Sequence, residues 1–136
     1  MAASARASRD PLAVVAGAIR LASGVSFLVA PEAANRLWGD QADPGPTGSL
    51  LLRSMGYRDA LVGGLLLVAG WQGAPSTAGW FLASAGADTA DLVGGLANRA
   101  AMTRDQQLRG LGGAAVGIGL GLAGARRARR RLRTAV

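Results

Sequence analysis

Cysteine and histidine are both absent from this 136-residue chain. That double absence excludes disulfides, thiolate nucleophiles, haem held by His or Cys, iron–sulfur clusters and ordinary zinc sites, so no metal or cofactor is expected. Lysine is missing too: all fifteen basic residues are arginine, which reflects GC-rich coding before any functional choice. Charged residues make up 17% against a usual value of about 25%. Aromatics are scarce at 4%, while glycine occurs 21 times. That mixture is a poor basis for a core in water. In a bilayer it suits helices that approach closely through small residues. Period-two alternation is also lacking, so strands are not expected, and the length allows one domain.

What is present is a set of four apolar stretches, at 12–30, 49–70, 77–97 and 108–124. Their lengths of 19, 22, 21 and 17 residues lie near the roughly 20 needed to cross about 30 Å of hydrocarbon. Between them fall Pro31, Asp43-Pro44-Gly45-Pro46, Gly73-Ala74-Pro75-Ser76 and the polar run 98–107. Thr47 or Ser49 is placed to cap the second helix, and Ser76 or Thr77 the third. The expected fold is all-α: an integral membrane four-helix bundle over 1–125, followed by an Arg-rich tail at 126–136.

Orientation follows from the arginines. Arg126, Arg127, Arg129, Arg130, Arg131 and Arg133 fall in the last eleven residues, and taking these six from the net +7 leaves +1 for the rest. Arg6 and Arg9 lie at the other end, whereas the first loop carries Glu32, Asp40 and Asp43 against Arg36. The positive-inside rule then sets both termini in the cytoplasm of a multi-pass protein of the cell membrane, a bacterial inner membrane. No aromatics interleave with the terminal arginines, so contact with anionic lipid is expected there rather than nucleic acid. A cleaved signal peptide is a weaker reading of the first stretch, because Arg20 interrupts the apolar run.

The spans themselves carry Arg20, Arg53 and Arg58 against Asp59, Asp88 and Asp91. A lone ion at mid-membrane costs at least about 2.5 kcal/mol, so a balanced set is expected to find itself and form one network among the first three helices. At about 1.5 Å per residue, Arg20, Asp59 and Asp88 all sit roughly 15 Å below the outer face, with Arg58, Asp91 and Arg53 above them. On the third helix Ser84, Asp88, Asp91, Gly95 and Asn98 recur at spacings of four and three, which is one face. On the second, Arg53 and Tyr57 share a face, while Arg58 and Asp59 point about 100° apart and must serve different neighbours.

Other matches carry less. The run 119–124 fits G-x-G-x-x-G by letter, but no strand precedes it. Gly113, Gly117 and Gly121 are better read as a packing ridge that seats the fourth helix, with a homo-oligomer contact as its next use. Leu61-Val-Gly-Gly-Leu65 recurs at 92–96 without aligning Asp59 and Asp91. Trp38, Trp71 and Trp80 suit interfacial belts.

The stretch Arg53-Ser-Met-Gly-Tyr-Arg-Asp59, with Gly63 and the acids of the next helix, resembles small bacterial four-helix membrane proteins of the DoxX-like and domain-of-unknown-function kind. The resemblance implies the bundle and assigns no catalytic residue. Chemistry must come from the cluster. With no Cys, His or Lys, acid–base work on a lipophilic small molecule suits it best: epoxide opening, double-bond isomerisation or cyclisation. In residue type, though in nothing further, an Asp–Arg–Asp set is similar to that of limonene-type epoxide hydrolases. Asp88, the deeper acid, is the expected donor and Asp91 the expected base. Arg58 or Arg20 holds charge on the substrate oxygen and Tyr57 adds a hydrogen bond. Arg53, Asp59, Ser84 and Asn98 complete the polar lining. Proton-coupled transport and a purely structural, accessory role are the other two classes this set of residues admits.

Overall fold

The computed structural model describes residues 8–38 and 42–134. Arg6 and Asp40, which entered the orientation argument, lie outside them. Among the described residues there is no strand, and the chain forms five helices: α1 (Pro11–Val29), α2 (Pro31–Leu37), α3 (Gly45–Gln72), α4 (Thr77–Ala97) and α5 (Arg104–Thr134).

Each boundary has a local cause. Asp10 caps α1, its carboxylate accepting from the amides of Leu12 and Ala13, with Pro11 at the first helical position where its missing N–H costs nothing. Pro31 does the same for α2, so part of the expected first loop is helical. Helix α3 begins at Gly45, before either expected cap, after the Asp43 carboxylate accepts from the Gly45 amide. It ends at Gly73, whose φ of 62° lets the Ala74 amide reach back to the Ala69 carbonyl. Helix α5 opens at Arg104, not at Leu108, because Thr103 and Gln106 form a reciprocal capping box. A π-turn over Gln107–Leu111 follows, and the helix then runs unbroken through the arginines that sequence reasoning assigned to a tail.

The long helices pack as two close pairs, α1 with α3 and α4 with α5, while α3 and α4 touch more sparingly. The first pair is antiparallel. Its backbones meet at Gly17, Gly24, Gly56 and Gly63, where a Cβ on Gly17 would fall 2.7 Å from the Gly63 carbonyl oxygen and one on Gly56 2.7 Å from that of Gly24. The spacing of seven on both helices puts these glycines on one face of each, and only their hydrogen side chains permit the contact. In the second pair, Gly124 makes the notch that receives the ring of Phe81, which is 2% exposed, and Gly121 lies against the Phe81 carbonyl and Ala85. Gly117 completes this surface against α4, and Gly113 lies under the Trp38 ring. The expected Gly113–Gly117–Gly121 ridge thus faces Trp38, Asp88 and the Phe81–Ala85 turn within the chain.

The described chain starts and ends at one face of the molecule. Arg131 donates to the Arg9 carbonyl at 3.2 Å and stands 3.8 Å from the Asp10 carboxylate. Helices α1 and α5 are long and apolar enough to cross a membrane. The internal charges are spread over three helices: Arg20 on α1, Arg53, Arg58 and Asp59 on α3, Asp88 and Asp91 on α4.

Because Gly24 meets backbone and Gly86 meets open space, the two should respond oppositely to added bulk. Gly24→Val is expected to lower stability by about 1–3 kcal/mol through overpacking, and Gly86→Ala to leave it unchanged or slightly raised. Thermal unfolding of the two purified variants beside the parent checks this.

Candidate functional site

Arg20 leaves the middle of α1 and reaches two other helices. Its Nη2 donates to Asp59 of α3 at 3.0 Å, and its Nη1 to Ser84 of α4 at 2.8 Å. The same Nη1 stands 2.9 and 3.0 Å from the two carboxylate oxygens of Asp88. Asp59 is shared: Arg58 Nε donates to it at 3.1 Å. Arg58 then spends its two terminal nitrogens on Asp91, a bidentate pair at 2.9 and 2.7 Å, the strongest geometry a guanidinium and a carboxylate can adopt. The result is one chain of charges, Asp88–Arg20–Asp59–Arg58–Asp91, running through α1, α3 and α4.

Burial grades along that chain. The side chains of Arg20, Asp59 and Asp88 are 13–15% exposed, whereas Arg58 and Asp91 are 34% and 38% exposed. The deep end is closed by α5, where a Cβ on Gly117 would land on the Asp88 carboxylate. The shallow end lies at the sparse α3–α4 contact. Arg58 and Asp59, adjacent in sequence, divide between neighbours as their 100° offset requires: Asp59 turns to α1, Arg58 to α4.

Three of the anticipated site residues stay outside. Arg53 was expected in the network; it donates instead to the Leu28 carbonyl in the last turn of α1. That carbonyl has no partner within its own helix, and the negative end of the helix dipole favours a cation there. Tyr57 is 62% exposed. Asn98 turns back on α4, donating to the Gly94 carbonyl at 2.8 Å. Losing Arg53 changes the charge balance: five groups remain, three carboxylates and two guanidiniums, and they sum to −1 rather than zero. Sequence reasoning also passed over Gly117 as the residue that makes room for Asp88, although its place in the glycine ridge was visible. Asp10, 4% exposed, was passed over too; the Asp-Pro pair before an apolar run was the available sign of a capping residue.

No group of three or more acidic residues with metal-holding geometry occurs among the described residues. Each cluster carboxylate is instead held by arginine.

Arg20 and Arg53 provide a contrast within one type of substitution. Arg20→Gln leaves Asp88 without its cation and is expected to cost about 3–5 kcal/mol. Arg53→Gln removes an exposed helix-end contact and is expected to cost less than about 1 kcal/mol. Unfolding midpoints of the two variants, measured side by side, test that difference.

Two comparisons with known proteins, against curated proteins and against solved structures, give no match. The family comparison does: residues 17–126 match a family model described as a domain of unknown function. The matched stretch contains every member of the charge cluster together with Gly117, and it stops at the first of the terminal arginines. Covering most of the chain, it shows that this protein belongs to the DUF4267 family.

Proposed function

We propose that this protein is a four-helix bundle of the cell membrane, a bacterial inner membrane, with both termini cytoplasmic. Its Asp88–Arg20–Asp59–Arg58–Asp91 cluster binds a lipophilic small molecule and carries out acid–base chemistry on it. The membrane reading is supported by the two apolar helices and by the glycine contacts, since close backbone approach is what drives association where burial of apolar surface cannot. The DoxX-like likeness of the Gly-Tyr-Arg-Asp motif agrees with it. Four spans are supported by antiparallel packing: α3 runs against α1 from Gly70 beside Ala13 to Gly56 beside Phe27, and α4 against α5 from Phe81 beside Gly124 to Gly95 beside Leu111.

The observation that carries the chemistry is the inequality of three carboxylates to two guanidiniums. An uncompensated charge in a low-dielectric interior is strongly disfavoured, so the cluster reaches neutrality by holding one proton. A carboxyl group with a proton to give, next to carboxylates held ionised by arginine, is the equipment that epoxide opening, isomerisation or cyclisation requires. Asp88, at the buried end, is the donor. Asp91, at the exposed end, is the base, and a substrate enters at the sparse α3–α4 contact beside it. Arg58 bridges the two carboxylate environments and steadies developing negative charge when substrate displaces one of its partners. Asp59 holds both arginines in place, and Ser84 orients Arg20.

A second reading is favoured by one observation. The bonds from Arg20 to Asp88 and Ser84, and from Arg58 to Asp91, all cross from the α1–α3 pair to the α4–α5 pair. A proton-dependent latch between two rigid halves is what a small proton-coupled transporter uses, and the variants below separate the two.

Topology is tested with single cysteines, which the parent lacks. Ser8→Cys and Thr134→Cys are expected to stay unlabelled by an impermeant thiol reagent in intact cells, and Glu32→Cys to be labelled. The reverse pattern removes the assigned orientation. For chemistry, lipid extracts of cells making the parent, Asp88→Asn or Asp91→Asn are compared. Each variant is expected to insert normally and to reduce the product by roughly 10²-fold or more. Unchanged extracts with normal insertion return the cluster to a structural role. Loss of proton-coupled flux in proteoliposomes without any change in product assigns it to transport.

A further inference from the structure

The terminal arginines are not equivalent. Ala123, Arg126, Arg127, Arg130, Arg131 and Thr134 line one open groove of about 460 Å³ on α5, and no acidic residue lines it. Arg129 and Arg133 point elsewhere. The groove is built from a helix face on which positions three and four apart are neighbours, with Ala123 as a low floor between taller arginine walls. Arg131 is fixed from behind by the Arg9 carbonyl and the Asp10 carboxylate. Arg9 itself is held over the Trp71 ring, 3.8 Å from its centroid, and does not fill the groove.

The face continues toward the apolar part of the helix. Val116, Leu120, Ala123, Arg127, Arg130 and Thr134 follow one another at spacings of four and three, which makes them a single stripe. Its upper members, Val116 and Leu120, are 63% and 54% exposed. One surface therefore passes from exposed aliphatic side chains to converging guanidiniums within about three helical turns. That order matches an amphiphile whose chain lies along Val116 and Leu120 and whose anion lies among the arginines. A free anion would use only the lower half.

We infer that this groove is a binding site for a membrane lipid bearing a terminal phosphate monoester. A monoester carries about −1.5 to −2 charges and three acceptor oxygens, which several forked guanidiniums satisfy together. A phosphodiester headgroup offers one charge and two free oxygens, with its alcohol substituent in the way. The groove thus selects by headgroup charge and shape, where a merely polybasic segment would respond to surface potential alone. The inference rests on the membrane reading above, and its test separates the two.

The full chain is reconstituted into phosphatidylcholine vesicles doped with phosphatidic acid or with phosphatidylglycerol at equal surface charge. Carbonate-resistant incorporation is scored first, and lipid retained on the protein after detergent extraction is then quantified. The parent is expected to retain phosphatidic acid at least about tenfold over phosphatidylglycerol, equivalent to about 1.4 kcal/mol. The double variant Arg127→Gln/Arg130→Gln should lose that preference. The double variant Arg129→Gln/Arg133→Gln, of the same net charge, should keep it. Equal retention of the two lipids by the parent, or equal losses in the two double variants, overturns the site in favour of diffuse charge. Displacement of the lipid by inorganic phosphate at equal concentration overturns the lipid as its occupant. Failure to incorporate at all removes the membrane reading, and this inference with it.

Discussion

A guanidinium in the middle of an apolar helix has to be met by carboxylates at a fixed distance, and Arg20 finds them on two different neighbours. That requirement sets much of the surrounding architecture. Gly17 and Gly24, three residues before Arg20 and four after it, remove the side chains that would hold α3 away. Asp59 is thereby brought within 3.0 Å. On the far side, Gly117 leaves α5 thin where the Asp88 carboxylate stands. Glycine and charge are therefore parts of one arrangement. The glycines let backbones approach closely, and the short separations they create let buried charges satisfy one another.

The molecule gathers its charge in two separate places. In the interior two arginines, Arg20 and Arg58, serve three aspartates. At the face where the described chain begins and ends, arginines gather without acids in the groove itself, and Asp10 steadies only Arg131 from behind. Arg53, expected in the first group, belongs to neither. It serves the end of α1, because an unpartnered helix carbonyl beside it is a nearer partner than any carboxylate.

Much of the helical content was legible in the sequence because apolar length and punctuation act locally. The third stretch, Thr77–Ala97, was read with its observed bounds. The extents of α3 and α5 were underestimated. At α3 the Asp43-Pro44-Gly45 turn starts the helix earlier than a hydroxyl cap at Thr47 or Ser49 would. At α5 the Thr103–Gln106 box overrode the polar character of its surroundings. In both cases a specific hydrogen bond outweighed composition. The short α2 was missed since seven residues carry too little periodicity to separate a helix from a loop.

Composition and residue order alone determined that the chain is helical, that it holds no cysteine or histidine, and that Arg20, Asp59 and Asp88 fall at matching heights on successive helices. These follow from local propensity, residue inventory and the constant rise of a helix. Which arginine meets which aspartate was decided only by tertiary structure. Partner choice depends on how far each helix rotates about its axis and how closely glycine lets it approach, and neither is encoded in the spacing of charges along one segment. The same limit applies to the terminal arginines. Their number was plain from the sequence, but the convergence of four of them on one groove required a helix to continue through them, so that residues three and four apart came to share a face.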